Sequence, residues 1–292
     1  MGSVRTALNI MLKRPFIVFY TGLITLIYCI IDYFNPVTYL LLGFNRIGKG
    51  DFLESIVYAI QLLYNSMVST KNVFKDASLL LIFLVVTSIF FGFLLSGYFN
   101  VINNAVNGIP KLKGELIWGI KKYTLRMAWL LLRVIFFGLL IFIIMLIAAV
   151  PAVIITKAWI SGRVELIAMM VFLDVLTVGV LLLGIVFFGV YVLFWIPASL
   201  NTAKKTFLKG KRTVDSGFWR VTVQCLVFGI VFLVSHFIMI YLNINLSHLK
   251  TGTYFYSYII FAVNWVFKTF FFSLFITFIF LAFRLEQKMR FN

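Results

Sequence analysis

The chain has 292 residues, of which 63% are hydrophobic and only 12% are charged. A typical soluble domain is about 45–50% apolar and about 25% charged, so this much apolar surface cannot be hidden inside a water-soluble globule. The composition excludes a soluble protein, a disordered chain, a disulfide-stabilised scaffold and a coiled coil, and it leaves a multi-pass membrane protein.

The net charge of +17 comes from 26 Lys and Arg against 9 Asp and Glu. In a membrane protein, basic loops set the orientation and contact anionic headgroups. No soluble nucleic-acid-binding module accompanies the charge, so we expect a bilayer with anionic headgroups as the partner, and no nucleic acid. Cys29 and Cys225 lie within apolar runs without metal-ligand spacing and are expected to be small packing residues.

Six apolar stretches are long enough, or nearly so, to cross the ~30 Å hydrocarbon core. They predict an all-α transmembrane helix bundle in which residues 1–292 form a single transmembrane domain. The first span is expected to be retained and not cleaved as a signal peptide, because no small-residue cleavage site follows Ile31. The predicted spans are residues 15–33, 77–100, 127–150, 165–197, 219–243 and 254–283.

The distribution of basic residues predicts the orientation. With a cytoplasmic N-terminus, the inner segments hold 17 bases and the outer segments hold seven. This bias places both termini in the cytoplasm. The longest outer loop contains an amphipathic pattern at 51–67, which predicts a helix at the outer interface. That helix is expected to cap the bundle, and a role as a lid over a ligand is the alternative.

Two basic segments on the inner side lead directly into spans three and five, and both contain tryptophan. Such a composition is typical of the headgroup region of the inner leaflet. Alternatively, the charges only fix the topology during insertion and are solvated afterwards. The predicted contacts with lipid headgroups are Arg133, Lys204, Lys205, Lys209, Lys211, Arg212, Trp118 and Trp219.

These two segments also resemble each other. Gly92 and Gly189 each follow two phenylalanines, and each is followed twelve residues later by an asparagine, Asn104 or Asn201. The offset is 97 residues for both landmarks. The pattern predicts a parallel duplication of 77–150 and 175–243, with chance matches among phenylalanine-rich spans as the alternative.

The opening from Arg5 to Pro15 carries bases, then a proline, and then an apolar span. It resembles the start of the membrane domain of bacterial glycerophosphoryl diester phosphodiesterases and of related six-span bacterial membrane proteins. The inner segments, which run from a lysine and glycine turn to Phe218-Trp219-Arg220 and the next span, are similar too. The resemblance implies a multi-pass protein of the bacterial cytoplasmic membrane. It does not carry over the phosphodiesterase activity, because no soluble catalytic domain is recognisable in the sequence.

The sequence contains no zinc-protease, nucleophile-elbow or nucleotide-loop motif. It has only two histidines and no paired carboxylates at helical spacing within a span. General acid–base chemistry would have very few groups to use. We therefore expect a protein that is not an enzyme and that holds no metal and no cofactor.

Three ionisable residues lie in the outer halves of predicted spans four, five and six: Asp174, His236 and Lys268. An ionisable group in the hydrocarbon region costs about 2.5–3.5 kcal/mol on insertion scales, so each needs a reason. They are predicted to form an outward-facing ligand site in which Asp174 balances Lys268. Alternatively, Asp174 lies at the outer interface, His236 is a neutral packing residue and Lys268 snorkels outward.

The absence of catalytic motifs and the basic inner segments favour an accessory membrane protein, which binds lipid or a protein partner within an envelope or transport complex. The alternative is a small carrier or lipid transporter that uses the polar site between spans four, five and six. A water-accessible cavity at that site would favour the carrier. A solidly packed bundle there would favour the accessory protein.

Overall fold

The computed structural model describes residues 2–33, 73–161, 164–201, 205–247 and 253–291. These residues are almost entirely helical and include no strand, which confirms the predicted all-α class. The predicted amphipathic helix at 51–67 lies outside the described residues. The helices are α1 (Gly2–Lys13), α2 (Pro15–Tyr33), α3 (Val73–Val106), α4 (Glu115–Ile160), α5 (Ile167–Asn201), α6 (Thr206–Ser216), α7 (Phe218–Ser247) and α8 (Thr253–Phe291), with a short 3₁₀ turn at Val164–Leu166.

Five of the described helices are long and apolar enough to cross a membrane. The number rises to six if α1 and α2, which are bent by 94° at Arg14, are taken as one broken span. Many large apolar side chains along these helices are more than half exposed, including Phe136, Phe172 and Val227. Such side chains need lipid around them, since water would make this exposure costly. The chain is therefore a multi-pass membrane protein.

Contacts divide the chain into two compact units. Unit 1 comprises residues 1–14, 88–236 and 274–292. Unit 2 comprises residues 15–87 and 237–273. Buried aromatic residues of unit 1 cluster near the C-terminal ends of α3, α5 and α8, where Phe99 meets Phe280 and Phe194 meets Phe283. The core of this unit is thus concentrated toward one end of these helices.

In unit 2, α2 packs against the first part of α8 through polar contacts. The Trp265 Nε1 donates to the carbonyl oxygen of Gly22 at 2.8 Å, and the hydroxyls of Thr25 and Thr269 lie 2.7 Å apart. Gly22 faces Thr269, because a Cβ on Gly22 would lie 3.4 Å from that side chain, an ordinary van der Waals distance. Small residues and interhelical hydrogen bonds are the usual means by which membrane helices associate.

The turn between α3 and α4 has a local cause in the sequence. Gly108 has a φ of +74°, and the amide of Ile109 donates to the carbonyl of Asn104 at 3.0 Å while the amide of Gly108 donates to Ala105 at 3.1 Å. This pairing is the Schellman arrangement, which satisfies the last carbonyls of a helix and favours glycine in the left-handed position. The turn directs the chain back into α4.

The basic segment that leads into predicted span five is not one continuous helix. The helix breaks at Gly217, which separates α6 from α7. A Cβ on Gly217 would lie 2.8 Å from a carboxylate oxygen at the flexible end of Glu286, so glycine lets this side chain approach the backbone closely. The carboxylate of Glu286, on α8, thus lies against the start of α7.

Candidate functional site

One end of unit 1 gathers the helix ends that the sequence assigns to the inner side. Glu115, in the first turn of α4, accepts from the guanidinium of Arg14 at 2.8 Å and from the side-chain amide of Asn104 at 2.7 Å. The Arg14 side chain is 11% exposed and that of Glu115 is 6% exposed. Arg14 also donates to the carbonyl of Ile109. A buried carboxylate is thus fully engaged where α3 turns into α4.

A second ion pair lies at the same end of unit 1. Glu286 of α8 accepts from the guanidinium of Arg220, at the start of α7. Arg284 donates to the carbonyl of Val106, and Asn201 donates to the side chain of Asn103 at 3.1 Å. These contacts connect α3, α5, α7 and α8. They also engage Glu286, the second buried acid of this end.

Beside these contacts lies a cavity of about 420 Å³, which we call the basic pocket. This volume falls within the range of about 300–1,000 Å³ that is usual for small-molecule sites. The charge of the pocket is positive, because the described lining includes three cations and no carboxylate. The pocket is lined by Arg126, Trp129, Leu130, Arg133, Ser199, Lys205, Thr206, Phe207 and Leu208.

The elements around the pocket position its cations. Arg126 and Arg133 are seven residues apart on α4 and therefore lie on one face of that helix. The guanidinium of Arg133 lies 4.6 Å from the ring centroid of Trp129 and 5.0 Å from that of Phe207. The Phe207 ring in turn packs edge-on against Trp195 of α5, at 4.7 Å. Arg133 is thus held between two aromatic rings.

The start of α6 forms another wall of the pocket. Lys205 precedes this helix with a φ of 59°, the left-handed region that non-glycine residues rarely adopt. The first hydrogen bond of the helix runs from the amide of Lys209 to the carbonyl of Lys205, at 3.0 Å. The amides of Thr206, Phe207 and Leu208 therefore donate no hydrogen bond within the helix. The side chain of Lys205, at the N-cap position, does not cap them either.

The predicted headgroup residues are distributed over this end of unit 1. Trp118 is 50% exposed and Trp219 is 75% exposed, and Lys122 lies 4.2 Å from the Trp118 ring. Arg133 and Lys205 line the basic pocket, which the sequence did not reveal as a cavity. Lys204 lies outside the described residues. The other predicted bases are on α6, where Lys209 is half-buried and Lys211 and Arg212 are exposed.

The three residues predicted to form an outward-facing site, Asp174, His236 and Lys268, each contact different neighbours. Asp174 accepts from the hydroxyl of Thr156, with distances of 3.1 and 3.2 Å to its two oxygens. The ring of His236 stacks on Phe232. Both lie in unit 1, whereas Lys268 lies in unit 2, 1% exposed and 4.8 Å from the Tyr28 ring centroid. A joint site of Asp174, His236 and Lys268 stays a prediction.

Sequence reasoning missed Arg126, Trp129, Thr206 and Phe207 as members of a site. The spacing of Arg126, Trp129 and Arg133 was a readable signal, because steps of three, four and seven residues share a helix face. Thr206 and Phe207 carried no such signal, since their place depends on how α6 packs. In the part of the chain that the structure describes, no group of three His, Cys, Asp or Glu residues is arranged to hold a metal ion.

Comparison with protein-family models, with characterised proteins and with solved structures finds no match to this chain. The similarity to the membrane domain of glycerophosphoryl diester phosphodiesterases therefore stays a prediction from the sequence. The features that bear on function are the geometry of the basic pocket and the charged surface around it.

Proposed function

We propose that the protein is a non-catalytic component of the bacterial cytoplasmic membrane that binds anionic phospholipid headgroups at its inner face. In this role it serves as an accessory or binding partner of an envelope or transport complex. The single observation that supports this function most is the basic pocket, with its three cations and no carboxylate among the described lining residues.

The surroundings of the pocket support the same function. Two of the acids at this end, Glu115 and Glu286, are already engaged by Arg14 and Arg220. The third, Asp215, accepts from the hydroxyl of Tyr191 at 2.8 Å. The face therefore keeps a large excess of positive charge, and each base near an anionic leaflet contributes about 1 kcal/mol to membrane attraction.

The exposed tryptophans provide the test. In single-tryptophan variants that retain Trp118 or Trp219, reconstituted into vesicles, we expect quenching by aqueous acrylamide to fall about twofold as anionic lipid replaces neutral lipid. The protection should weaken at high salt, because the Debye length falls from about 10 Å at 0.1 M to about 3 Å at 1 M.

Lys122→Gln is the matched charge variant, since Lys122 lies over the Trp118 ring and not over Trp219. It should reduce the lipid-dependent protection of Trp118 and leave that of Trp219 unchanged. If both tryptophans remain equally quenchable in neutral and anionic vesicles, the proposed lipid-binding function is wrong.

The carrier alternative is favoured by one observation, the burial of Lys268 within α8. An ionisable residue inside a membrane helix is costly and is commonly functional. The same vesicles separate the two functions. An accessory protein leaves a fluorescent phospholipid in its original leaflet, whereas a carrier would move it and would lose that activity in Lys268→Met.

A further inference from the structure

We infer that the basic pocket is a discrete site for a dianionic phosphate group, the chemistry of a phosphomonoester headgroup. This inference rests on the proposed lipid-binding function and deepens it. The proposed function needs only a positively charged surface that attracts any anionic lipid. The inference assigns one bound group, one pocket and a preference among anionic lipids.

The charge of the pocket matches a phosphomonoester better than a phosphodiester. Arg126, Arg133 and Lys205 contribute three formal positive charges. A phosphomonoester carries about −1.5 to −2 at pH 7, because its second pKa is near 6. A phosphodiester carries a single negative charge. The planar fork of an arginine also fits a terminal phosphate, which offers several oxygens for paired hydrogen bonds.

The start of α6 provides neutral donors for the same group. The amides of Thr206 and Phe207 have no partner within the helix, and Lys205 stands where a capping side chain is usual. The N-terminus of a helix attracts anions through these amides and through its dipole. A phosphate oxygen in the pocket would accept from these amides, which the Lys205 side chain does not cap.

Arg133 is positioned before any ligand arrives. Its guanidinium is held between the rings of Trp129 and Phe207, which limits the rotamers that it can adopt. Binding then costs less side-chain entropy than it would for a mobile arginine on an open surface. A pre-positioned arginine is typical of a specific binding site and not of a diffuse charged surface.

The face of α4 that carries the pocket continues as a strip of exposed apolar residues. Phe136, Phe137 and Leu140 follow Arg133 at steps of three, four and seven residues, and each is more than 40% exposed. An acyl chain can lie along this strip while the phosphate occupies the pocket. A lipid therefore makes both contacts, whereas a soluble phosphate makes only the polar one.

The test is isothermal titration calorimetry on the detergent-solubilised full chain, with three probes. These are a short-chain phosphatidic acid, a short-chain phosphatidylglycerol and inorganic phosphate. We expect phosphatidic acid to bind about tenfold more tightly than phosphatidylglycerol, because the dianion makes additional charge-assisted hydrogen bonds. Tighter binding of phosphatidic acid than of inorganic phosphate assigns the group to a lipid, and the reverse assigns it to a soluble phosphate.

The pocket variants Arg126→Gln and Arg133→Gln should each weaken phosphatidic acid binding about tenfold. Lys205→Gly should weaken it several-fold without harming the fold, because glycine accepts the positive φ at this position. The matched control is Lys211→Gln, an exposed base of α6 outside the pocket lining, which should bind as the unaltered protein does.

Two results would overturn the inference. One is equal affinity for phosphatidic acid and phosphatidylglycerol. The other is unchanged affinity in all three pocket variants. If either result occurs while anionic vesicles still protect Trp118 and Trp219, the discrete site is wrong and the proposed function stands. If no anionic lipid binds or protects, both are wrong.

Discussion

At the scale of single residues, the ion pair of Arg14 and Glu115 shows how one base near the N-terminus stabilises the local structure. Arg14 stands between α1 and α2, and it binds both Glu115 and the carbonyl of Ile109 in the turn after α3. From the sequence alone, Arg14 is one of the bases near the N-terminus that predict the orientation. The structure also gives it a local role, since it satisfies a buried carboxylate and a turn carbonyl.

We expect Arg14→Gln to lower the free energy of unfolding by about 3 kcal/mol, because it leaves the buried carboxylate of Glu115 without its cation. The double variant Arg14→Gln/Glu115→Gln should be no less stable than Arg14→Gln alone, since it removes the stranded charge as well. Thermal unfolding in detergent measures both effects.

The control for this pair is Arg5→Gln, which removes an exposed base from α1, the helix that ends just before Arg14. Its effect should stay within about 0.5 kcal/mol, as is usual for surface substitutions. Strictly additive losses in the double variant would show that Arg14 and Glu115 do not stabilise the turn as a pair.

At the scale of elements, close packing of α3 on α4 depends on glycine. A Cβ on Gly92 would lie 2.7 Å from the backbone nitrogen of Ala128, and one on Gly97 would lie 2.7 Å from the carbonyl oxygen of Leu116. Both contacts are with backbone atoms, which cannot move aside as a flexible side chain can. The two helices therefore approach each other more closely than side chains would allow.

Gly189 is the counterpart of Gly92 in the predicted duplication, and its surroundings differ. No atom of the described residues would lie within 4 Å of a Cβ there. We expect Gly92→Ala to destabilise the protein by about 1–3 kcal/mol through overpacking. Gly189→Ala should be neutral, or stabilising by at most about 1 kcal/mol, because alanine favours the helix.

Thermal unfolding of the two variants side by side checks this prediction, and each serves as the control for the other. Equal destabilisation by both alanines would contradict the packing described for Gly92. The duplication itself stays a prediction. A shared landmark in two segments need not have the same packing environment in both.

The helices were largely predictable because long apolar runs in a bilayer must form them, so that every backbone group is satisfied internally. The sequence indicated α2, α3, α4, α5, α7 and α8 as spans. It did not indicate a separate helix at Gly2–Lys13, or the break at Gly217. The contact of Gly217 with Glu286, a residue 69 positions away, is a tertiary property, and local patterns carry no information about it.

At the scale of the whole molecule, the orientation decides which leaflet the basic pocket meets. Contacts within unit 1 already place the ends of α3, α5 and α8 together with the starts of α4 and α7. The excess of bases at these ends predicts that they face the cytoplasm. The inner leaflet is the one that carries the negative surface potential.

Labelling of introduced cysteines tests this orientation. In intact cells, a membrane-impermeant maleimide should label Ser161→Cys, at the exposed turn after α4, and should not label Lys211→Cys on α6. Lys211→Cys should react only after the cells are opened, which controls for its reactivity. Labelling of Lys211→Cys from outside would reverse the orientation and place the pocket at the other leaflet.

The candidate site was only partly predictable at this scale. Arg133 and Lys205 stood out because bases near a span need an anionic partner or water. Their convergence did not stand out, since more than 70 residues separate them and the approach of α6 to α4 is a tertiary property. The sequence thus identifies the unusual charges, but it does not show which of them lie close together in the fold.

The length of α4 fixes how deep the pocket lies. Between Arg133 and Lys157 this single helix carries 23 residues without a charge, about 35 Å of rise against a hydrocarbon core of about 30 Å. Sliding the helix by one turn, about 5.4 Å, would draw one of these two cations into the acyl chains. The two charges therefore hold the helix at a fixed depth, with one charge at each border of the bilayer. The level of the basic pocket is therefore set in part by a lysine at the far end of the same helix, and a bilayer of a different thickness would shift the pocket relative to the headgroup layer.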